Sequence, residues 1–209
     1  MMLLKPQPAG PDLTTKDLVR EWVWKEMETR DLARFPRPCR GRIPNFEGSK
    51  KAAEFLDAVE IYRKAAAVFV GPDLALKACR DQVLADGKVL GFATPGMHEL
   101  KEFGPGAPRR DTSIRGLKRY GSPVRTAVSV VILGSVAVDL EGNRIGKGRG
   151  YGDQEVAWLR DHDLLLDGAV CLTVVHPIQV FDGFSPLMES SDEVMQWIVT
   201  PEEAIAVTL

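Results

Sequence analysis

Apolar positions along this chain alternate between a helical and a strand-like period. From about Thr14 to Arg30, Leu18, Trp22 and Met27 recur near helical spacing, and Thr14 or Thr15 can cap the segment, which predicts a helix. FPRPCRGRIPNF at 35–46 holds too much proline and glycine for regular structure and predicts a long loop carrying Arg37, Arg40 and Arg42. Helical spacing returns over 48–65, with Ala53, Leu56, Val59 and Ile61 or Tyr62 on the apolar face. AAVFV at 66–70 is a short apolar run stopped by Gly71-Pro72, as in a buried strand. Residues 72–87 predict a helix, with Pro72 near its start and Gly87 past its end, and KVLGFATP at 88–95 predicts the next strand.

Strand, helix and strand within 66–95 make a βαβ unit, so a parallel sheet is expected. EFGPGAPRRD at 102–111 reads as a surface excursion. Residues 127–139 are the most strand-like stretch, interrupted at Gly134-Ser135; 140–152 is turn and loop, 153–166 resembles a helix, and GAVCLTVV at 168–175 is another buried strand. The tail offers a strand around Trp197–Val199 and then a short helix or terminal strand. No repeat, linker or composition break divides the chain. The expectation is one α/β domain over 14–209, with helices on both sides of a mostly parallel sheet, after a disordered lead-in at 1–13.

The chain has 209 residues, a formal net charge of −2, 44% hydrophobic and 27% charged residues, enough for one domain with a sizeable core. Near-neutral charge argues against a dedicated nucleic-acid binder. Cys39, Cys79 and Cys171 lie far apart, without metal-ligand or redox spacing, and an odd count without a disulfide framework fits a reducing cytoplasm. The N-terminal apolar run is too short for a signal peptide, and no stretch approaches the ~20 apolar residues of a membrane helix.

GKGRGYGDQE at 146–155 carries the chemistry. Glycines let a backbone approach an anion closely, and a following helix N-terminus aims N–H groups at it. Lys147 and Arg149 add positive charge, and Asp153 offers a hard oxygen to Mg²⁺. The string is neither a P-loop nor the dinucleotide fingerprint, and from its chemistry alone a mobile hairpin tip with a solvated charged end competes equally. His98, His162 and His176 are not spaced as metal ligands; His162 reads as solvated, and His176 as a strand-end residue of the kind that lines clefts. The arginines at 37–42 belong either to a solvated loop or to a site for the anionic end of a substrate.

GSVAVDLEGNRIGKGRGYGD at 134–153 resembles the signature of the 5-formyltetrahydrofolate cyclo-ligases, also called methenyltetrahydrofolate synthetases. In that family a strand and D-x-x-G-x-R precede Gly-x-Gly-x-Gly-Tyr-Tyr-Asp. KDLVR at 16–20, LADGKVLGFATP at 84–95 and SSDEVMQWIVTPE at 190–202 resemble further family segments in register. The resemblance implies a three-layer α/β/α sandwich, the fold shared with glucosamine-phosphate deaminases, ribose-phosphate isomerases and CoA transferases. It implies that ATP phosphorylates the formyl oxygen of 5-formyltetrahydrofolate, a neighbouring nitrogen attacks, phosphate leaves, and 5,10-methenyltetrahydrofolate forms.

Carried onto this chain, the resemblance places Lys16 and Arg20 on ATP and wraps its phosphates in Gly146, Lys147, Gly148, Arg149, Gly150 and Tyr151. Arg149 and Tyr151 are the implied catalytic residues, Asp153 and Asp192 the implied Mg²⁺ ligands, and Asp73 a shortened substitute for a substrate-binding Glu. The pattern departs at Gly152, where a second Tyr is expected, at Gln154 in place of Arg and at Ser191 in place of His, as in a divergent branch resembling synthetase-domain proteins. Three functions stay open: a cytoplasmic cyclo-ligase, monomeric or homodimeric, acting on a reduced folate or pterin; an ATP-dependent enzyme for another formyl or carboxyl compound; and a non-catalytic nucleotide- or RNA-binding domain. The last is motivated by Arg37–Arg42 and by Arg109, Arg110, Arg115, Lys118 and Arg119.

Overall fold

The computed structural model describes residues 5, 7, 13–107, 109–184 and 187–208. Helix α1 (Lys16–Thr29) starts where Thr15 Oγ1 accepts the Leu18 N–H at 3.2 Å. Its buried stripe is Val19, Val23, Trp24 and Met27, while Leu18 is 45% exposed. The helix is as expected but its face is rotated by about one residue, because Val19, Val23 and Met27 repeat every fourth position.

Strands β1 (Ala33–Arg34) and β2 (Asn45–Phe46) pair antiparallel and close the proline-rich loop at its base. The helix expected over 48–65 is broken into α2 (Ser49–Glu54), a 3₁₀ turn (Phe55–Ala58) and α3 (Glu60–Lys64). Leu56, Val59 and Tyr62 are all fully buried, and a spacing of three stays on one line only in a tighter coil.

Strand β3 (Ala67–Val70), helix α4 (Lys77–Ala85) and strand β4 (Val89–Ala93) form the expected βαβ unit. Then follow β5 (Leu100–Phe103), α5 (Ile114–Arg119), β6 (Ser122–Pro123), β7 (Val128–Leu133), β8 (Ala137–Asp139) and β9 (Arg144–Ile145). The surface excursion therefore begins only after Phe103, which is fully buried in β5. Helix α6 (Tyr151–Asp161), β10 (Leu165–Val174), β11 (Val180–Phe181), β12 (Trp197–Val199) and β13 (Ala204–Ala206) complete the order. Helix α6 ends five residues before the expected 166: Asp163 takes a left-handed φ of 56°, and Leu165 and Leu166 enter β10 instead. The tail's second element is a strand.

The large sheet runs β13-β12-β10-β7-β3-β4-β5-β6. Its centre, β12 through β4, is parallel, and β13, β5 and β6 join antiparallel at the edges. Val68, Val70, Val130, Ile132, Leu172 and Val174 face a core shared with α1, α2 and α4. Phe69, Val131, Leu133 and Cys171 face the other side, where Val156 and Leu159 of α6 cover them. Strands buried on both faces explain why the chain reads there as unbroken apolar runs. A small sheet, β11-β8-β9, packs beside this layer.

From β3 the chain crosses through α4 to β4, and from β7 through α6 to β10, on opposite faces and in opposite directions along the sheet. The carboxyl ends of β3 and β7 thus diverge at Gly71 and Gly134. Such a switch point opens a crevice. Most of the 1–13 lead-in lies outside the described residues; Gln7 pairs with Phe181, its N–H 2.7 Å from Val180 O.

Candidate active site

A cleft of about 1560 Å³ occupies this switch point. It is lined by the ends of β3 and β7, the 146–150 glycine loop, the start of α6, Lys16 and Arg20 of α1, and the 35–43 loop. Gly148 (φ 89°) and Gly150 (φ 66°) take left-handed conformations that favour glycine, and Gly150 is the N-cap of α6. No side chain caps that helix, so its first N–H groups are open to an anion. Arg20 secures the loop by donating from Nε to Gly146 O at 2.7 Å, while its Nη1 meets Asp17 at 2.5 Å.

Three further cations of the cleft, Lys147, Lys16 and Arg144, are held by carboxylates. Lys147 Nζ lies 2.5 Å from Asp73 Oδ1, and Lys16 Nζ lies 2.6 Å from Asp192 Oδ2. Arg144 Nη2 reaches Asp153 Oδ1 at 2.6 Å and Nη1 reaches Gly134 O at 3.2 Å. Burial alone would raise the Asp192 pKa, but the Lys16 ammonium and the Glu189 N–H outweigh it and hold the carboxyl below its ordinary value. Asp73 is placed from below by the fully buried Arg80, which donates from Nη1 to Gly71 O at 2.5 Å and Asp73 O at 3.0 Å. Burial pulls the Arg80 guanidinium down to about 10.

All the residues selected from sequence line this one cleft: Lys16, Arg20, Asp73, Gly146, Lys147, Gly148, Arg149, Gly150, Tyr151, Asp153 and Asp192. Arg149 is exposed and has no ion pair among the described residues. Asp153 and Asp192 are brought near each other, since the Glu193 N–H donates to Asp153 Oδ1 at 3.2 Å. Among the described residues no cluster of three or more His, Cys, Asp or Glu could hold a metal by itself.

Two site residues were not anticipated. Arg144 lies within the signature, yet its role as the clamp on Asp153 needs the fold. Glu155 is only 3% exposed and borders the cleft, with no hydrogen-bond partner for its carboxyl among the described residues. Burial, with the Asp73 charge adding to it, pushes that carboxyl up to about 8. A glutamate in the first turns of a polar helix carries no sequence signal of burial.

His176 does not line the cleft; its Nδ1 accepts the Ile178 N–H at 3.2 Å and caps the turn before β11. His162 is exposed and stacks on Trp158 at 3.8 Å between ring centroids. The three cysteines are buried, and burial pushes each thiol up to about 12. Arg109 and Arg119 lie over the Tyr120 ring and, with Asp111 and Arg115, line a separate hollow of about 250 Å³. No helix among the described residues is long and apolar enough to cross a membrane.

The sequence pattern of the 5-formyltetrahydrofolate cyclo-ligase family matches residues 15–201. Methenyltetrahydrofolate synthase domain-containing proteins of Bos taurus and Homo sapiens are 36% and 35% identical over 91% and 97% of this chain. The chain spans only 53% and 55% of those relatives. A 5,10-methenyltetrahydrofolate synthetase from Aquifex aeolicus superposes with a TM-score of 0.57 at 19% identity, covering 93% of each chain. One from Mycoplasma pneumoniae gives 0.52 at 9% identity, covering 88% of this chain and 97% of that one. These structures share the fold, and the sequence matches run through the glycine loop and the elements around it. The chain belongs to the 5-formyltetrahydrofolate cyclo-ligase family.

Proposed function

We propose that the protein is an ATP- and Mg²⁺-dependent cyclo-ligase that converts 5-formyltetrahydrofolate, or a related reduced pterin, to 5,10-methenyltetrahydrofolate, ADP and phosphate. The observation that carries this reading is the glycine loop: left-handed at Gly148 and Gly150, tied to α1 by Arg20, and leading into an uncapped helix N-terminus beside Lys147 and Arg149. It is a cradle for phosphates at the carboxyl ends of parallel strands. The names of the Bos taurus and Homo sapiens relatives support the folate half.

In this reading the loop N–H groups, Lys16, Arg20, Lys147 and Arg149 orient and neutralise the phosphates, which is most of what phosphoryl transfer requires of a protein. Tyr151, at the first position of α6, stands at the phosphate end with Arg149. Asp153 and Asp192 fit a divalent ion: their Oδ2 and Oδ1, respectively, take no hydrogen bond among the described residues. Two such oxygens, with phosphate oxygens and water, make a donor set suited to Mg²⁺, which when bound neutralises phosphate charge. Asp73, facing Lys147 at the end of β3, is the substrate-side carboxylate. Buried thiols and a small-molecule substrate go with a cytoplasmic location.

A second reading keeps the ATP site and exchanges the pterin for another formyl or carboxyl compound. Gly152 favours it, because glycine removes an aromatic wall where the family pattern has a second tyrosine. The test measures ATP consumption with and without 5-formyltetrahydrofolate while following the absorbance of the methenyl product. Coupled ATP loss and product growth are expected. ATP turnover that depends only on some other compound would transfer the assignment to the second reading.

A further inference from the structure

The 35–43 loop forms a wall of the cleft that phosphate binding does not use. Its three arginines divide. Arg37 is held by Glu28 at 2.8 Å and Asp31 at 2.5 Å, and Arg40 by Glu21 at 2.8 Å. Arg42 lines the cleft and meets no carboxylate among the described residues. Phe35 lines the same cleft and, at 77%, is the most exposed of the large apolar side chains among the described residues.

The wall is fixed at both ends. Asn45 Nδ2 donates to Phe35 O, and Trp24 Nε1 donates to Arg42 O, each at 2.9 Å. Between them the Cys39 N–H donates to Glu28 Oε1 at 2.7 Å and the Cys39 thiol is buried. Ile43 packs so tightly over Gly134 that a Cβ there would come within 3.0 Å of it. An aromatic ring and an unpaired guanidinium are thus held out on an anchored segment, so little ordering entropy opposes a ligand that uses them.

The charge of ATP is confined to its phosphates, which already have Lys16, Arg20, Lys147 and Arg149. A reduced folate carries a second anionic end, a benzoyl ring followed by glutamate carboxylates. We propose that Phe35 and Arg42 form a subsite for that end, the ring stacking on Phe35 and a carboxylate pairing with Arg42. The inference rests on the reduced-folate reading above. It assigns substrate recognition to a loop outside the signature and separates Arg42 from its solvated neighbours.

Calorimetric titration of the full chain tests it, using wild type, Arg42→Ala and Phe35→Ala. Three ligands are compared: 5-formyltetrahydrofolate, a 5-formyltetrahydropterin lacking the benzoylglutamate, and ATP with Mg²⁺. Arg42→Ala should weaken the folate by about tenfold or more, and Phe35→Ala by roughly threefold to tenfold. Neither should alter affinity for the truncated pterin or for ATP. Both side chains are free of hydrogen bonds to the fold among the described residues, and matched melting temperatures will confirm folding. Folate binding in wild type with unchanged affinity in both variants overturns the subsite alone. Loss of ATP affinity instead gives the pair to the nucleotide and also overturns it. A wild type that binds no reduced folate overturns both the subsite and the function it rests on.

Discussion

Replacing Gly148 separates a phosphate cradle from a flexible tip. Gly148 sits at φ 89°, where a residue with a Cβ is disfavoured by about 1–2 kcal/mol. A Cβ there would lie 3.6 Å from Arg20 Cζ, an ordinary contact, so alanine meets strain without a clash. Valine adds methyl groups that press on the guanidinium holding Gly146. Because the loop is exposed, the free protein can escape the strain by rotating to negative φ. Binding must then restore the left-handed backbone, and the strain appears in the affinity. About 1–2 kcal/mol corresponds to a roughly 5–30-fold weaker ATP Kd. Gly87 supplies the control, at φ 73° past the end of α4 with nothing within 4 Å of an added Cβ. Gly87→Val should lower stability in urea and leave ATP affinity intact; Gly148→Val should do the reverse. Calorimetric titration of ATP with Mg²⁺ and urea unfolding read the two effects. Unchanged ATP affinity in a folded Gly148→Val protein would refute the cradle.

Arg144→Met should destabilise by about 1–3 kcal/mol in chemical denaturation, since the 5%-exposed Arg144 side chain holds both the part-buried Asp153 carboxylate and Gly134 O; a loss under about 0.5 kcal/mol would contradict that account. Asp153→Asn and Asp192→Asn should each raise the Mg²⁺ needed for half-maximal ATP turnover several-fold, and an effect from only one would show that they do not share an ion. His176 should make the protein acid-sensitive: burial lowers its pKa below the ordinary 6.5, so the unfolded chain takes up the proton first and stability falls as pH drops below about 6.5. His176→Asn should flatten that part of the stability–pH curve relative to wild type, and parallel curves would exclude His176 as the source.

The parallel sheet was legible because strands buried on both faces leave runs such as AVFV and VVIL, which a half-exposed sheet would not. The glycine loop was legible because backbone freedom beside cations is local information. What stayed hidden depends on packing between distant segments. Leu18 and Val19 are equally apolar in sequence, and only the position of the sheet decides which faces it. Glu155 looks like a solvated helix charge until α6 is laid against the end of β3, where a Cβ on Gly71 would be 3.5 Å from its Oε2. The loop arginines were indistinguishable until α1 offered carboxylates to Arg37 and Arg40 and none to Arg42.

The same dependence governs the charges of the cleft. Lys147 and Asp73 are 74 residues apart, and Lys16 and Asp192 are 176 apart, so no local pattern reveals that each cation has a carboxylate partner. Those partners matter for binding. Cations converging without counter-charges would repel one another and work against the closed arrangement of loop and helix. Pairing removes that repulsion and holds each side chain in place. In the proposed phosphate site, an arriving phosphate would exchange one anionic partner for another at Lys147 and Lys16. Affinity would then come from the difference between two ion pairs, with Arg149, which has no ion pair among the described residues, and the uncapped N-terminus of α6 adding attraction.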